Sequence, residues 1–205
     1  MNIFVTGTDT GIGKTVVSTI LALKFGAKYW KPVQSGTVPQ TDSQWVGERL
    51  GDARIHPEVY RVHAPLSPHE AARLEGVRVD PDRILAAIPE EPVVIEGAGG
   101  VLVPLNENCL YADLMKRLGQ PVVVVARTAL GTINHTLLTL NALRQRDVDV
   151  LGVILVGESN PANAAAISHY GNVRVLGHIP PLPSLDSAHL QTMTQAITLE
   201  LPNRR

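Results

Sequence analysis

The sequence predicts an α/β fold in three layers, with a doubly wound, mostly parallel sheet and helices on both faces. Three observations point there. Short runs rich in β-branched residues alternate with longer amphipathic stretches through the 205 residues. Several of these runs are apolar throughout, as strands covered on both faces require. A glycine-rich turn joins the first run directly to the first amphipathic stretch, the position at which open parallel sheets take their ligands.

In chain order, strands are expected at residues 3–6, 28–31, 93–96, 122–126, 150–156 and 173–178. Helices are expected at 14–25, 80–88, 112–118, 133–146, 162–170 and 186–199. Asp80 before Pro81 reads as an N-cap with proline in the first turn. Residues 63–69, which include Pro65 and Pro68, read as a surface loop, and 201–205 as a loose tail. Without a repeat, a low-complexity tract or a dividing linker, residues 1–205 are expected to form one domain.

Composition narrows the function. At 44% hydrophobic residues, the chain can bury one sizeable core. Lys and Arg total 18 against 19 Asp and Glu, a net charge of −1 with no block of like charge, which argues against a nucleic-acid binder. The one cysteine, Cys109, allows no intramolecular disulfide and reads as a small, half-buried apolar residue. No basic segment followed by a long apolar core opens the chain, and its apolar runs fall short of the roughly 20 residues that span a bilayer. A soluble, cytoplasmic protein without membrane contact is expected.

The chemistry-bearing motif follows the first strand: Gly7-Thr8-Asp9-Thr10-Gly11-Ile12-Gly13-Lys14-Thr15. Glycines let backbone N–H groups curve around phosphate, and the helix N-terminus behind them adds its positive end. In such a P-loop Lys14 reaches the β- and γ-phosphates and the Thr15 hydroxyl binds Mg2+. The spacing departs from the usual pattern: five residues separate Gly7 from Gly13, and Thr8 stands where the first glycine is expected. Glu96 ends an apolar strand and precedes Gly97-Ala98-Gly99-Gly100, which makes it a partner for the metal or for water. Asp42, in Thr41-Asp42-Ser43, reads first as the N-cap of the helix after it. Lys31, in Lys31-Pro32-Val33-Gln34-Ser35-Gly36, is either a surface lysine before a turn or a held cation facing a transferring group.

Together these segments resemble the dethiobiotin synthetases, ATP-dependent enzymes of the P-loop NTPase type. The resemblance adds Ser67-Pro68-His69, Pro104-Leu105 and Leu130-Gly131-Thr132-Ile133-Asn134-His135, in the family's order, and the long loop spacing is the family's own. It implies a cyclo-ligase that carboxylates 7,8-diaminopelargonic acid with CO2 or bicarbonate. ATP phosphorylates the carbamate to a mixed anhydride, and the second amine closes the ring to give dethiobiotin, ADP and phosphate. It implies Mg2+ on Thr15, Asp42 and Glu96, which raises Asp42 from cap to ligand, and Lys14 and Lys31 as catalytic cations. ATP would be held by Gly11, Ile12, Gly13, Lys14, Thr15, Val16, Gly97, Ala98 and Gly99, with Pro180, Pro181 and Leu182 at the base. Thr10, Lys31 and Ser35 would meet the substrate. Gly131, Thr132, Ile133 and Asn134 would receive its carboxylate tail from the partner subunit of a homodimer. On residues alone, Asn134 reads as helix surface or core.

The match thins at the base. Gly157 stands where the family often has an asparagine, leaving Asn160 or backbone to hold the base, so other nucleoside triphosphates are expected to be accepted beside ATP. Two alternatives share parts of this pattern. A ParA- or MinD-like nucleotide switch would carry a further lysine five residues before Lys14, where Asp9 stands. An amide-forming ATPase of another cofactor pathway would bring a glutamine-hydrolysing domain, for which the length leaves no room.

Overall fold

Successive residues of the apolar runs bury into opposite sides of a single sheet. Phe4, Ile95, Val124 and Leu155 belong to one core cluster, and Val5, Val94, Val123 and Ile154 to the other. This is the two-residue period of a strand with both faces covered. The computed structural model describes residues 2–199, so the tail expected at 201–205 lies outside the described residues.

The strands and helices follow in order as β1 (Ile3–Gly7), α1 (Lys14–Phe25), β2 (Lys28–Trp30), β3 (Val33–Ser35), α2 (Asp42–Leu50), β4 (Ile55–His56), β5 (Tyr60–Val62), α3 (Pro68–Leu74) and α4 (Pro81–Ala86). They continue as β6 (Val93–Glu96), β7 (Pro104–Asn106), β8 (Cys109–Leu110), α5 (Tyr111–Leu118), β9 (Val122–Arg127), α6 (Thr132–Arg144), β10 (Val150–Val156), α7 (Pro161–Gly171), β11 (Val175–Ile179) and α8 (Ser187–Thr192). Seven strands form one parallel sheet in the order β11-β10-β9-β1-β6-β2-β4. β3 pairs with β5 and β7 with β8 in two small sheets beside it. Val17, Ile20 and Leu21 of α1 and Leu190 of α8 cover one face, while α4 to α7 pack on the other through Ile84, Leu114, Leu140 and Ile167.

Pairing places the ligand edge. β1 lies between β9 and β6, and β6 is flanked in turn by β2, with Val5 in register with Glu96 and Trp30 with Ile95. The chain therefore leaves the C-terminal ends of three neighbouring strands at Gly7, Lys31 and Glu96.

Several expectations change. The strand expected to include Lys31 ends at Trp30, and the loop expected at 63–69 gives way to α3 at Pro68. The helix expected at 186–199 is a short α8 followed by a 3-10 turn at Met193–Ala196, after which Ile197 bridges Gly177 beside β11. Pairing with β11 outweighs helical propensity there. Asp80 caps α4 as expected, accepting from the Asp82 N–H at 2.9 Å. Cys109 is buried. Among the described residues no helix is long and apolar enough to cross a membrane.

Ile154 lies fully buried in β10, whereas Leu74 is 56% exposed. Ile154→Ala is expected to lower the free energy of urea unfolding by about 2–5 kcal/mol, and Leu74→Ala to change it by no more than about 0.5 kcal/mol.

Candidate active site

The turn from β1 into α1 holds Gly11 at φ 70° and Gly13 at φ 96°, left-handed conformations open to glycine. A β-carbon on Gly13 would also press on Val156 Cγ1 at 3.1 Å. Lys14 and Thr15 then open α1, where the helix's free N–H groups add positive potential. Lys14 Nζ donates to the Asp9 carbonyl at 2.7 Å, so the ammonium is folded over the loop. Burial, only partly countered by Glu96, lowers its pKa to about 8.

Asp42 and Glu96 meet Thr15 from two other elements. Thr15 Oγ1 lies 2.8 Å from Asp42 Oδ1 and 3.0 Å from Glu96 Oε1. Asp42 is not the cap of α2. Thr41 is, closing a capping box in which its hydroxyl accepts from Gln44 N–H at 3.1 Å and Gln44 Oε1 accepts from Thr41 N–H at 2.9 Å. Asp42 is the first helical residue, so its carboxylate is released from capping. Its N–H donates to Gln34 Oε1 at 3.2 Å, and Gln34 Nε2 is tied to the Ser35 and Gly36 carbonyls.

Lys31 is a held cation and not a surface lysine. It is 5% exposed and its ammonium donates to Asp42 Oδ2 and, at 3.2 Å, to Glu96 Oε1. Burial works against the charge on Lys31, but Glu96 and Asp42 outweigh it and hold the pKa above the ordinary lysine value. Burial likewise favours neutral Asp42, yet the Lys31 ammonium and hydrogen bonds from Lys31 and Thr15 keep its pKa below the usual range. Tyr29 OH donates to the other oxygen of Glu96, Oε2, at 2.9 Å.

Of these residues, Lys14, Thr15, Lys31, Asp42 and Glu96 line one cleft of about 810 Å³, shared with Thr10, Ser35, Trp45, Pro65 and Leu185. Three hard oxygen donors, the Thr15 hydroxyl and two carboxylates, converge within it. This set fits Mg2+, which takes one or two carboxylates and completes its shell with phosphate oxygens and water. No cluster of three or more His, Cys, Asp or Glu side chains that could hold a metal alone occurs among the described residues.

A family model described as an AAA domain matches residues 1–189. The ATP-dependent dethiobiotin synthetase BioD of Paramagnetospirillum magneticum is 54% identical, with 91% of each chain covered. Those of Agrobacterium fabrum and Brucella ovis are 49% identical over 97% of each chain, and 51% identical over 92% of this chain and 90% of theirs. The chain belongs to the dethiobiotin synthetase family. Among solved structures it is similar to a ParA family ATPase from Chlorobium tepidum TLS, with a TM-score of 0.60 at 12% identity covering 94% of this chain and 97% of that one. The Aquifex aeolicus MinC:MinD cell division protein complex gives a TM-score of 0.58 at 14% identity, covering 100% and 98%. At such identities the likeness is one of fold.

Of the residues that the family resemblance singles out, the cleft lining holds Thr10, Gly11, Gly13, Lys14, Thr15, Val16, Lys31, Ser35, Asp42, Glu96, Ala98 and Gly99. Ile12 is buried under the loop in the core cluster on the α1 side, and Gly97 lies against Phe4. Pro180, Pro181 and Leu182 follow β11 outside the lining, which Leu185 of the same segment joins instead. Gly131, Thr132, Ile133 and Asn134 lie apart from the cleft at the start of α6, where Thr132 donates to the Arg127 carbonyl. Asn160 caps α7, its Oδ1 accepting from Asn163 N–H at 3.0 Å. Sequence reasoning missed Gln34 and Tyr29. Gln34 sits inside the segment Lys31-Pro32-Val33-Gln34-Ser35-Gly36, whereas Tyr29 carries no signal beyond a strand aromatic.

Gly13→Ala forces an L side chain into a left-handed turn against Val156. Nucleotide affinity, read by calorimetry, is expected to fall about 5- to 150-fold, given a strain of about 1–3 kcal/mol, with the far-ultraviolet spectrum unchanged. An unaltered affinity would show that the loop does not bind phosphate.

Proposed function

We propose that this protein is an ATP- and Mg2+-dependent dethiobiotin synthetase, carboxylating 7,8-diaminopelargonic acid with CO2 and closing the ureido ring. One observation carries the reading: Thr15, Asp42, Glu96 and Lys31 meet within hydrogen-bond reach beside Lys14. Phosphoryl transfer asks the protein for positioning and for cations around the transferred group, and that is what the cleft supplies.

In this reading ATP lies on residues 11–16 with Lys14 along its β- and γ-phosphates, and Ala98 and Gly99 border the same cleft beside Thr10. Thr15, Asp42 and Glu96 would hold Mg2+, which when bound neutralises charge on the phosphate oxygens. One amine of the substrate becomes a carbamate, ATP phosphorylates it, and the second amine displaces phosphate from the mixed anhydride. Lys31, held between two carboxylates, faces the negative charge that develops on the carbamate and the phosphoryl group in flight. Thr10 and Ser35 border the acceptor end, and the buried Ser35 hydroxyl has no partner among the described residues, which suits it to donate to a ligand there.

A homodimer completes the site in this proposal. A second cavity of about 530 Å³ backs onto the loop through Thr8, Asp9 and Thr10, so Thr10 borders both spaces. Leu102 and Leu138 along it are more than half exposed, and Leu130 beside the start of α6 is fully exposed. An apolar group of this kind suits a subunit contact. The partner's Gly131, Thr132, Ile133 and Asn134 at a helix N-terminus suit a carboxylate. The enzyme would work in the cytoplasm on small molecules, without nucleic acid or membrane.

Base selectivity is expected to be weak. Gly157 holds φ 128°, a β-carbon there would meet Thr128 Oγ1 at 2.5 Å, and its carbonyl is bonded by His178 Nε2 at 2.7 Å. Gly157 carries no side-chain amide, and the Asn160 Oδ1 is engaged as a cap, which takes away the acceptor that would read a base edge. Comparable kcat/KM with ATP, CTP and GTP is expected; a thousandfold preference for ATP would contradict this reading.

Product analysis tests the activity itself. Protein supplied with diaminopelargonate, bicarbonate, Mg2+ and ATP is expected to yield dethiobiotin by mass spectrometry, and ADP without dethiobiotin would sink the proposal. Lys14→Ala is expected to abolish turnover. Lys31→Ala is expected to lower kcat about a hundredfold or more while ATP affinity changes far less; an equal loss in both would remove Lys31 from the transferring group.

A further inference from the structure

We propose that Tyr29 is a positioning residue for the metal–nucleotide site, its hydroxyl clamping one oxygen of Glu96 so that the other stays aimed at Thr15 and Lys31. The inference rests on the nucleotide site proposed above, but not on which amine is carboxylated.

Sheet geometry supplies the contact. Tyr29 of β2 is in register with Val94 of β6. Neighbours in register point to one face, and so do residues two apart along a strand. Tyr29, Lys31, Val94 and Glu96 therefore share the face on which α1 packs, and α1 carries Thr15. Trp30 and Ile95, between them, belong to the opposite core.

Glu96 has no exposed oxygen to spare, being 1% accessible, and Tyr29 is fully buried. Oε2 takes the phenol at 2.9 Å, and Oε1 takes Thr15 at 3.0 Å and Lys31 at 3.2 Å. The terminal torsion of a glutamate is broad, so the plane of the carboxylate is free to swing about the end of the side chain. What selects one orientation is the hydrogen bond to each oxygen. Without the phenol, Oε2 is a buried acceptor with no partner, and the carboxylate gains by turning its plane to share Lys31 or Thr15 between both oxygens, which takes Oε1 off its aim at the metal. Partners that orient a ligand from behind typically change metal affinity about 10- to 100-fold.

Tyr29→Phe removes the hydroxyl and keeps the ring. Mg2+ titrated into protein with saturating ADP, followed by calorimetry, is expected to show a half-saturation about tenfold higher than in the parent. ADP affinity in EDTA is expected to stay within about twofold of the parent, and kcat to recover at high Mg2+. On a Glu96→Gln background, itself weak in Mg2+, the same substitution is expected to add less than about a twofold change. A Mg2+ midpoint unchanged by Tyr29→Phe overturns the proposal. So does an equal loss of ADP binding with and without Mg2+, which marks a merely structural side chain, and so does a full further shift in the Gln background. These titrations contain no diaminopelargonate. A parent that binds Mg2+ and ADP but makes no dethiobiotin would refute the enzyme reading and leave Tyr29 in its role.

Discussion

The Lys31 ammonium, buried between Asp42 and Glu96, is the contact on which the arrangement of the site depends. Each of the three groups would be costly to bury alone, and removing one partner from such a cluster destabilises by about 3–5 kcal/mol. Lys14 stands beside them, so two cations face two carboxylates in a cleft that is formally neutral before any nucleotide enters. The surrounding structure holds that balance. β2 next to β6 brings Lys31 beside Glu96, the Thr41 cap frees Asp42 from capping, and Gln34 pins the first turn of α2 to the lysine loop.

The sheet itself is common property. A ParA family ATPase and the MinC:MinD complex share its architecture at 12% and 14% identity. Function resides in the turns that leave its strands, as is general for folds that host many chemistries. Asp9 illustrates this. Where a nucleotide switch of that type would carry a lysine, this chain has a carboxylate paired to Arg127 at 2.6 Å.

What could be read from sequence was whatever depended on local pattern. β1, β6, β9 and β10 stand within a residue of their expected bounds, because strands covered on both faces are apolar at every position. Glu96 is legible as the charge that ends such a strand, and Lys31 as the charge that follows the short β2. The small elements between residues 33 and 62 were not, since β3, β4 and β5 have two or three residues each and owe their form to neighbours. α2 is announced by Thr41 and Gln44, a capping-box pair that takes precedence over Asp42 as the cap. Tyr29 was hidden for a different reason. Its partner is set by the register of β2 against β6, a pairing of residues 65 or more apart.

The central place of β1 has a bearing on how the molecule is made. Phe4 pairs with Ile95 on one side and Val122 on the other, so the first strand of the sheet waits for more than a hundred residues before both its neighbours exist. At about 5–20 residues per second, that delay is on the order of ten seconds. Until β6 emerges, an apolar strand with the phosphate loop behind it has no sheet to join, and until β9 emerges one of its edges stays open. Nucleotide cannot assist the early chain either, because Glu96 arrives only with the strand that completes one side of β1. The enzyme's birth, more than its mature form, is where this topology exposes it to aggregation.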